Sequence, residues 1–81
     1  MDKQQIKQKI NTFLIDELEI DASKIKDEAL LKSEVGIDSL DFVDVVVFVS
    51  TEFGFKLQKQ DMASVRTLGD FYEYVSVNAK R

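Results

Sequence analysis

A serine that could accept a covalent group lies at the predicted start of a helix. Ser39 stands in the segment Gly-Ile-Asp-Ser-Leu-Asp, residues 36–41, directly before a long apolar run. A phosphodiester on Ser39 would gain from the free N–H groups and the dipole of a helix N-terminus. The neighbouring carboxylates of Asp38 and Asp41 oppose that gain, and serine is also a preferred N-cap. The local electrostatics leave both interpretations open.

The composition removes most forms of catalysis. The chain has 81 residues with no Cys and no His, which excludes disulfides, thiolate metal sites, cysteine nucleophiles and Ser-His-Asp triads. A zinc site would have to use carboxylates alone. No segment has the spacing of a calcium-binding loop or of a glycine-rich phosphate loop. We therefore predict that the chain is not an enzyme.

The charge balance is acidic. The sequence has 15 acidic and 11 basic residues, a net charge of −4. Nucleic-acid binding usually needs a basic patch, and none is visible, so we expect no nucleic-acid partner. An acidic domain favours encounter with basic protein surfaces. Because the sequence has no apolar run of about 18 residues and no apolar region at its start, we expect no membrane span and a cytoplasmic location.

The first helix is predicted over about residues 2–18, with Asp2 as its N-cap. Apolar residues recur there at spacings of three and four and form a single stripe. They are Ile6, Ile10, Phe13, Leu14 and Leu18. Over residues 19–38 the periodicity is lost, which predicts a long connection pinned by isolated apolar residues, with a short turn near residues 29–31. Gly36 supplies backbone freedom before the next element.

The second helix is predicted to start at Asp38 or Ser39 and to run to about Phe53, where Gly54 ends it. Its interior is β-branched and aromatic, which on propensity alone indicates a strand. The run between cap and glycine is about four turns long, and that length suits a helix better. Length and flanking residues therefore decide in favour of a helix.

The C-terminal third predicts one short and one longer helix. Within residues 56–66, Asp61 is the expected cap of a short turn. Thr67 and Asp70 form a capping-box pattern for the last helix, which runs to about Asn78. Its inward residues are Leu68, Phe71, Tyr72 and Val75. The sequence thus predicts an all-α fold, a small bundle of three longer helices plus one short helix with a long loop after helix 1, in a single domain of residues 1–81.

The second helix has more apolar residues than one buried face can use. One inward set is Val45, Val46, Val49 and Phe53, and a second, offset set is Leu40, Val43 and Val47. A domain of this size cannot fully bury both. The second set, beside Asp41 and Asp44, therefore indicates a surface for basic partners. The alternative, that both sets belong to the core or tolerate exposure, is left open.

These motifs resemble the acyl carrier protein family. The family pattern is an Asp-Ser-Leu triplet at the start of the second helix, which residues 38–40 match. The flanking Gly36, the Phe-Gly stop after the helix and the Thr-Leu-Gly-Asp segment of residues 67–70 extend the match over essentially the whole chain. The resemblance implies that Ser39 carries 4′-phosphopantetheine derived from coenzyme A, with Asp38 and Leu40 beside it at the cofactor site.

The resemblance implies a carrier and not a catalyst. A phosphopantetheinyl transferase would attach the arm, whose thiol would hold acyl groups as thioesters. Acyl-transfer and condensing enzymes of fatty acid, polyketide or related biosynthesis would be the later partners. Partners would bind at Asp41, Val43, Asp44 and Val47, and the acyl chain would be sequestered by Val46, Val49 and Phe53. A monomer is expected, because a carrier must visit many partners.

Two alternatives stay open. An aminoacyl or peptidyl carrier shares the fold and the serine, but more often has Gly-Gly-x-Ser where this chain has Gly-Ile-Asp-Ser. An unmodified helical interaction module would dock its valine-rich helix into a partner groove and would need Ser39 only as a cap. Incubation with a transferase and coenzyme A separates a carrier from such a module, because only a carrier gains mass.

Overall fold

Three α-helices and short helical turns make up the computed structural model, which describes residues 2–79 except the side chains of Ser39 and Lys59. The α-helices are α1 (Lys3–Asp16), α2 (Ser39–Phe53) and α3 (Leu68–Asn78). Short turns cover Ala22–Lys24, Leu31–Val35 and Lys59–Ser64. Within residues 2–79 there is no strand, only one isolated β-bridge, and no helix has the length and apolarity to cross a bilayer. The predicted all-α fold is confirmed.

Each α-helix begins with a capping box. In all three, the side chain of the N-cap accepts a hydrogen bond from the backbone of the third helical residue, whose own side chain accepts one in return. The pairs are Asp2 with Gln5, Asp38 with Asp41, and Thr67 with Asp70. Such pairs satisfy two N–H groups that a helix start otherwise leaves without partners. The predicted caps Asp2 and Thr67 are confirmed.

The core is built from one apolar stripe on each helix. α1 contributes Ile6, Ile10 and Leu14; α2 contributes Val45, Val49 and Phe53; α3 contributes Leu68, Phe71, Tyr72 and Val75. The phenol of Tyr72 donates a hydrogen bond to the side-chain oxygen of Asn11 on α1. Burial raises the pKa of Tyr72 to about 12. The buried ring therefore links α3 to α1 and keeps its one polar atom satisfied.

The long connection after α1 is fixed to the start of α3 by backbone hydrogen bonds. The N–H of Leu31 donates to the carbonyl of Arg66 over 2.9 Å, and the N–H groups of Leu68 and Gly69 donate to Ala29 and Asp27 over 2.9 and 2.8 Å. This pairing keeps the backbone near Ala29 extended. The helical turn predicted near residues 29–31 instead covers residues 31–35 and buries Leu31 and Val35.

The short helix before α3 is present, but its predicted cap is wrong. The N-cap of Lys59–Ser64 is Gln58, without a side-chain hydrogen bond, and Asp61 lies inside the turn. The carboxylate of Asp61 instead accepts a hydrogen bond from the Tyr74 phenol over 3.0 Å. Burial, and then this bond, raise the pKa of Tyr74. A tertiary contact has taken the carboxylate that the sequence pattern assigned to a cap.

Gly69→Ala should destabilise the protein, although alanine normally favours a helix. A Cβ at Gly69 would lie 2.9 Å from the backbone carbonyl oxygen of Asp27, so the loop would have to move away from α3. We expect a loss of about 1–2 kcal/mol in the free energy of unfolding, measured by urea denaturation. Val77→Ala is the control, because Val77 lies in the same helix with 73% of its surface exposed. A Gly69→Ala protein as stable as the wild type would contradict this account.

Candidate functional site

The backbone at the start of α2 is held by Asp38. Its carboxylate Oδ1 accepts hydrogen bonds from the N–H groups of Leu40 and Asp41, both over 3.0 Å. Asp41 Oδ2 accepts the N–H of Asp38 over 3.5 Å in return. Ser39 is the first residue of the helix and not its cap. Its side chain, the predicted attachment point, lies outside the described part of the structure.

The chain approaches this helix through a fixed turn. Gly36 has a φ of 89°, in the left-handed region that side chains other than glycine rarely adopt. The N–H groups of Gly36 and Ile37 both donate to the carbonyl of Leu31 over 2.9 Å. Because Leu31 and Val35 are buried, this turn is anchored in the core. The segment before Ser39 therefore has a defined path.

One face of α2 is apolar and open to solvent. The exposed fractions are 80% for Leu40, 61% for Val43 and 60% for Val47. These residues follow one another at spacings of three and four, so they share a face of the helix. Asp44 beside them is exposed, and Asp41 is half-buried. The structure thus shows that the second apolar set is not core.

The residues predicted to sequester an acyl chain lie on the opposite side. Val49 and Phe53 have exposed fractions of 0% and 1%, and Val46 is half-buried against the same core. The structure therefore brings these three together in close packing. They do not line an open cavity.

An open groove lies instead between α1 and α2. Its floor is formed by Phe13 and Phe48, whose rings stack with centroids 4.2 Å apart and 11° between planes. Of the predicted site residues, Asp44 and Val47 line this groove. Sequence reasoning missed it, because periodicity gives the faces of each helix but not how two helices are aligned. The spacing of Phe13 beside the core residue Leu14 was the available signal.

The described side chains contain no group of three or more carboxylates placed to hold a metal ion. The start of α2 does suit a covalent arm. Asp38 and Leu40 on either side of Ser39 are both exposed, and the cap function belongs to Asp38. An attached group at Ser39 would therefore extend into solvent without disturbing the helix start.

Comparison with known proteins agrees with these features. The family described as "Phosphopantetheine attachment site" matches residues 8–75. An acyl carrier protein of Thermotoga maritima is 34% identical over 73 residues, which cover 90% of this chain and 90% of that protein. Both matches extend through all three α-helices. The chain belongs to the acyl carrier protein family, whose members are carriers and not enzymes and hold 4′-phosphopantetheine as their cofactor.

Proposed function

We propose that Ser39 is the attachment point and that the chain holds acyl intermediates as thioesters on the arm. In the loading step the Ser39 hydroxyl oxygen forms a phosphodiester bond with the phosphate next to pantetheine in coenzyme A. The pyrophosphate bond breaks, adenosine bisphosphate leaves, and the serine proton passes to a base of the transferase. The terminal thiol of the arm then bears the acyl group, so a chain without cysteine can carry a thioester.

The capping geometry of α2 is the observation that carries this proposal. A serine at a helix start is ordinarily explained as a cap, and here Asp38 has that function. Ser39 is therefore not required to begin the helix. Its place in the Asp-Ser-Leu triplet, inside the span that matches the phosphopantetheine family, supports modification as its function.

The surroundings of Ser39 offer no base for its activation. The chain has no His, and Oδ1 of Asp38 already accepts two backbone N–H groups. A carboxylate used in this way holds the helix start in place and is poorly suited to remove a proton. The transferase therefore supplies the base and the metal ion. Asp38 and Leu40 serve the modification by presenting Ser39 in a fixed position.

Delivery of the cargo would use the exposed face of α2. Leu40, Val43 and Val47 supply apolar contact next to the arm, and Asp41 and Asp44 supply negative charge for basic partners. Acyl-transfer and condensing enzymes of a fatty acid, polyketide or related pathway would dock there. A small interface suits a single-domain, monomeric carrier that must release each partner before it meets the next.

The acyl chain is proposed to lie among Val46, Val49 and Phe53. Because Val49 and Phe53 are closely packed, the core would have to open to admit it. Val46 is the half-buried residue of the three and would mark the entrance. The exposed apolar face of α2 also fits the second candidate, an unmodified interaction module. The presence or absence of a mass gain separates the two.

Incubation with coenzyme A and a broad-specificity phosphopantetheinyl transferase should add one phosphopantetheinyl group to the wild-type protein. Intact mass spectrometry measures the addition, and peptide mapping locates it. Ser39→Ala should gain nothing. Ser33→Ala is the control, because Ser33 is exposed in the loop before α2 and should leave the addition intact. A folded wild-type protein that gains no mass would refute the carrier function.

Stability measurements should separate the cap from the attachment point. Asp38→Ala removes the acceptor of two backbone N–H groups and should cost about 1 kcal/mol in the free energy of unfolding. Asp38→Asn should retain most of it, because asparagine is an equally good cap. Ser39→Ala should leave the urea midpoint unchanged. If Ser39→Ala instead cost as much as Asp38→Ala, the serine would be needed for the helix start, and the argument from capping would fail.

A further inference from the structure

The contacts between α1 and α2 form a ladder with three rungs. Lys9 pairs with Glu52 over 3.3 Å, and one turn further along α1 the ring of Phe13 stacks on Phe48. Residue numbers rise on α1 as they fall on α2, so the two helices are antiparallel. The next step of four residues on each helix leads to Glu17 and Asp44. Both residues line the same groove, with Asp16 beside them.

The third rung differs from the first two in its chemistry. The first is an ion pair and the second an aromatic stack, whereas the third brings together three carboxylates, those of Asp16, Glu17 and Asp44. The ion pairs of the described side chains use Lys3, Lys7 and Lys9, and none of them reaches these three acids. Like charges that share a groove repel one another and lower stability. A cation placed between them would remove that cost.

We propose that the acidic end of the α1–α2 groove is a docking site for the phosphopantetheinyl transferase. A basic side chain of the transferase lies among Asp16, Glu17 and Asp44, and its apolar stem contacts Val47 and the edge of the Phe13–Phe48 stack. The inference rests on the proposed modification of Ser39 and adds α1 to the recognised surface. It assigns a binding function to the last turn of α1, which the exposed face of α2 does not include.

The position of the groove favours this partner. Because the helices are antiparallel, the acidic end lies towards the start of α2, and Asp44 is five residues from Ser39, a rise of about 7.5 Å. An enzyme that reaches Ser39 must cover this region. The transferase also acts on the chain before any arm is present, so it must recognise the protein surface alone. Later enzymes can bind the arm as well and depend less on the groove.

The test uses the full chain, coenzyme A and a broad-specificity transferase, with initial rates of mass gain as the readout. Asp16→Lys and Glu17→Lys should each raise KM about threefold with kcat unchanged, the size expected for one exposed ion pair. Glu28→Lys makes the same change of net charge at an exposed loop residue outside the groove and should leave KM unchanged. The rise of the wild-type KM with salt should be weaker in the groove variants.

Thermal melting provides a second readout that a damaged fold would move in the other direction. α1 has no basic residue in its last turn, so a lysine at position 17 also complements the helix dipole. Glu17→Lys should therefore raise the melting temperature by about 3 °C while it weakens recognition by the transferase.

The results separate this inference from the function on which it rests. If the wild-type protein gains its arm but the groove variants have the wild-type KM, the groove is not a docking site, and the carrier function stands. An equal rise of KM in Glu28→Lys would show an effect of net charge and would also overturn the inference. A wild-type protein that gains no arm would refute the carrier function itself.

Discussion

The pairing between the long loop and the start of α3 is the constraint on which the site depends. Three backbone hydrogen bonds hold residues 27–31 against residues 66–69. The first turn of α3 can approach the loop this closely because Gly69 has no side chain. With the loop fixed, Leu31 and Val35 enter the core. The carbonyl of Leu31 then orients Gly36 and Ile37, and α2 begins in a defined place. A contact distant in sequence thus positions Ser39.

The amphipathic pattern of α2 reflects two requirements on a single helix. Val45, Val49 and Phe53 hold it in a core that is small, since a domain of this length buries a limited part of its surface. Leu40 and Val43 remain in water, where they contribute nothing to folding. Exposed apolar residues in one row on the helix that begins at Ser39 are explained by contact with other proteins.

Sequence patterns predicted what local interactions decide and failed where distant residues compete. The capping box of Thr67 and Asp70 was predictable because both partners lie within four residues of each other. The cap assigned to Asp61 was wrong because Tyr74, on another helix, binds that carboxylate. The Leu31–Val35 turn lies later than expected because the backbone before it pairs with α3. The groove depends on the alignment of α1 with α2, which periodicity within one helix does not contain.

The site itself was predictable in its backbone and less so in its surface. The Asp-Ser-Leu triplet placed the start of α2 within one residue, but only the structure decides that Asp38 is the cap and Ser39 the first helical residue. That difference of one position has a chemical consequence. If Ser39 were the cap, esterification of its hydroxyl would compete with the hydrogen bond that begins the helix. With Asp38 in that role, the helix start is stable before modification and after it, so loading the arm need not alter the surface that partners bind.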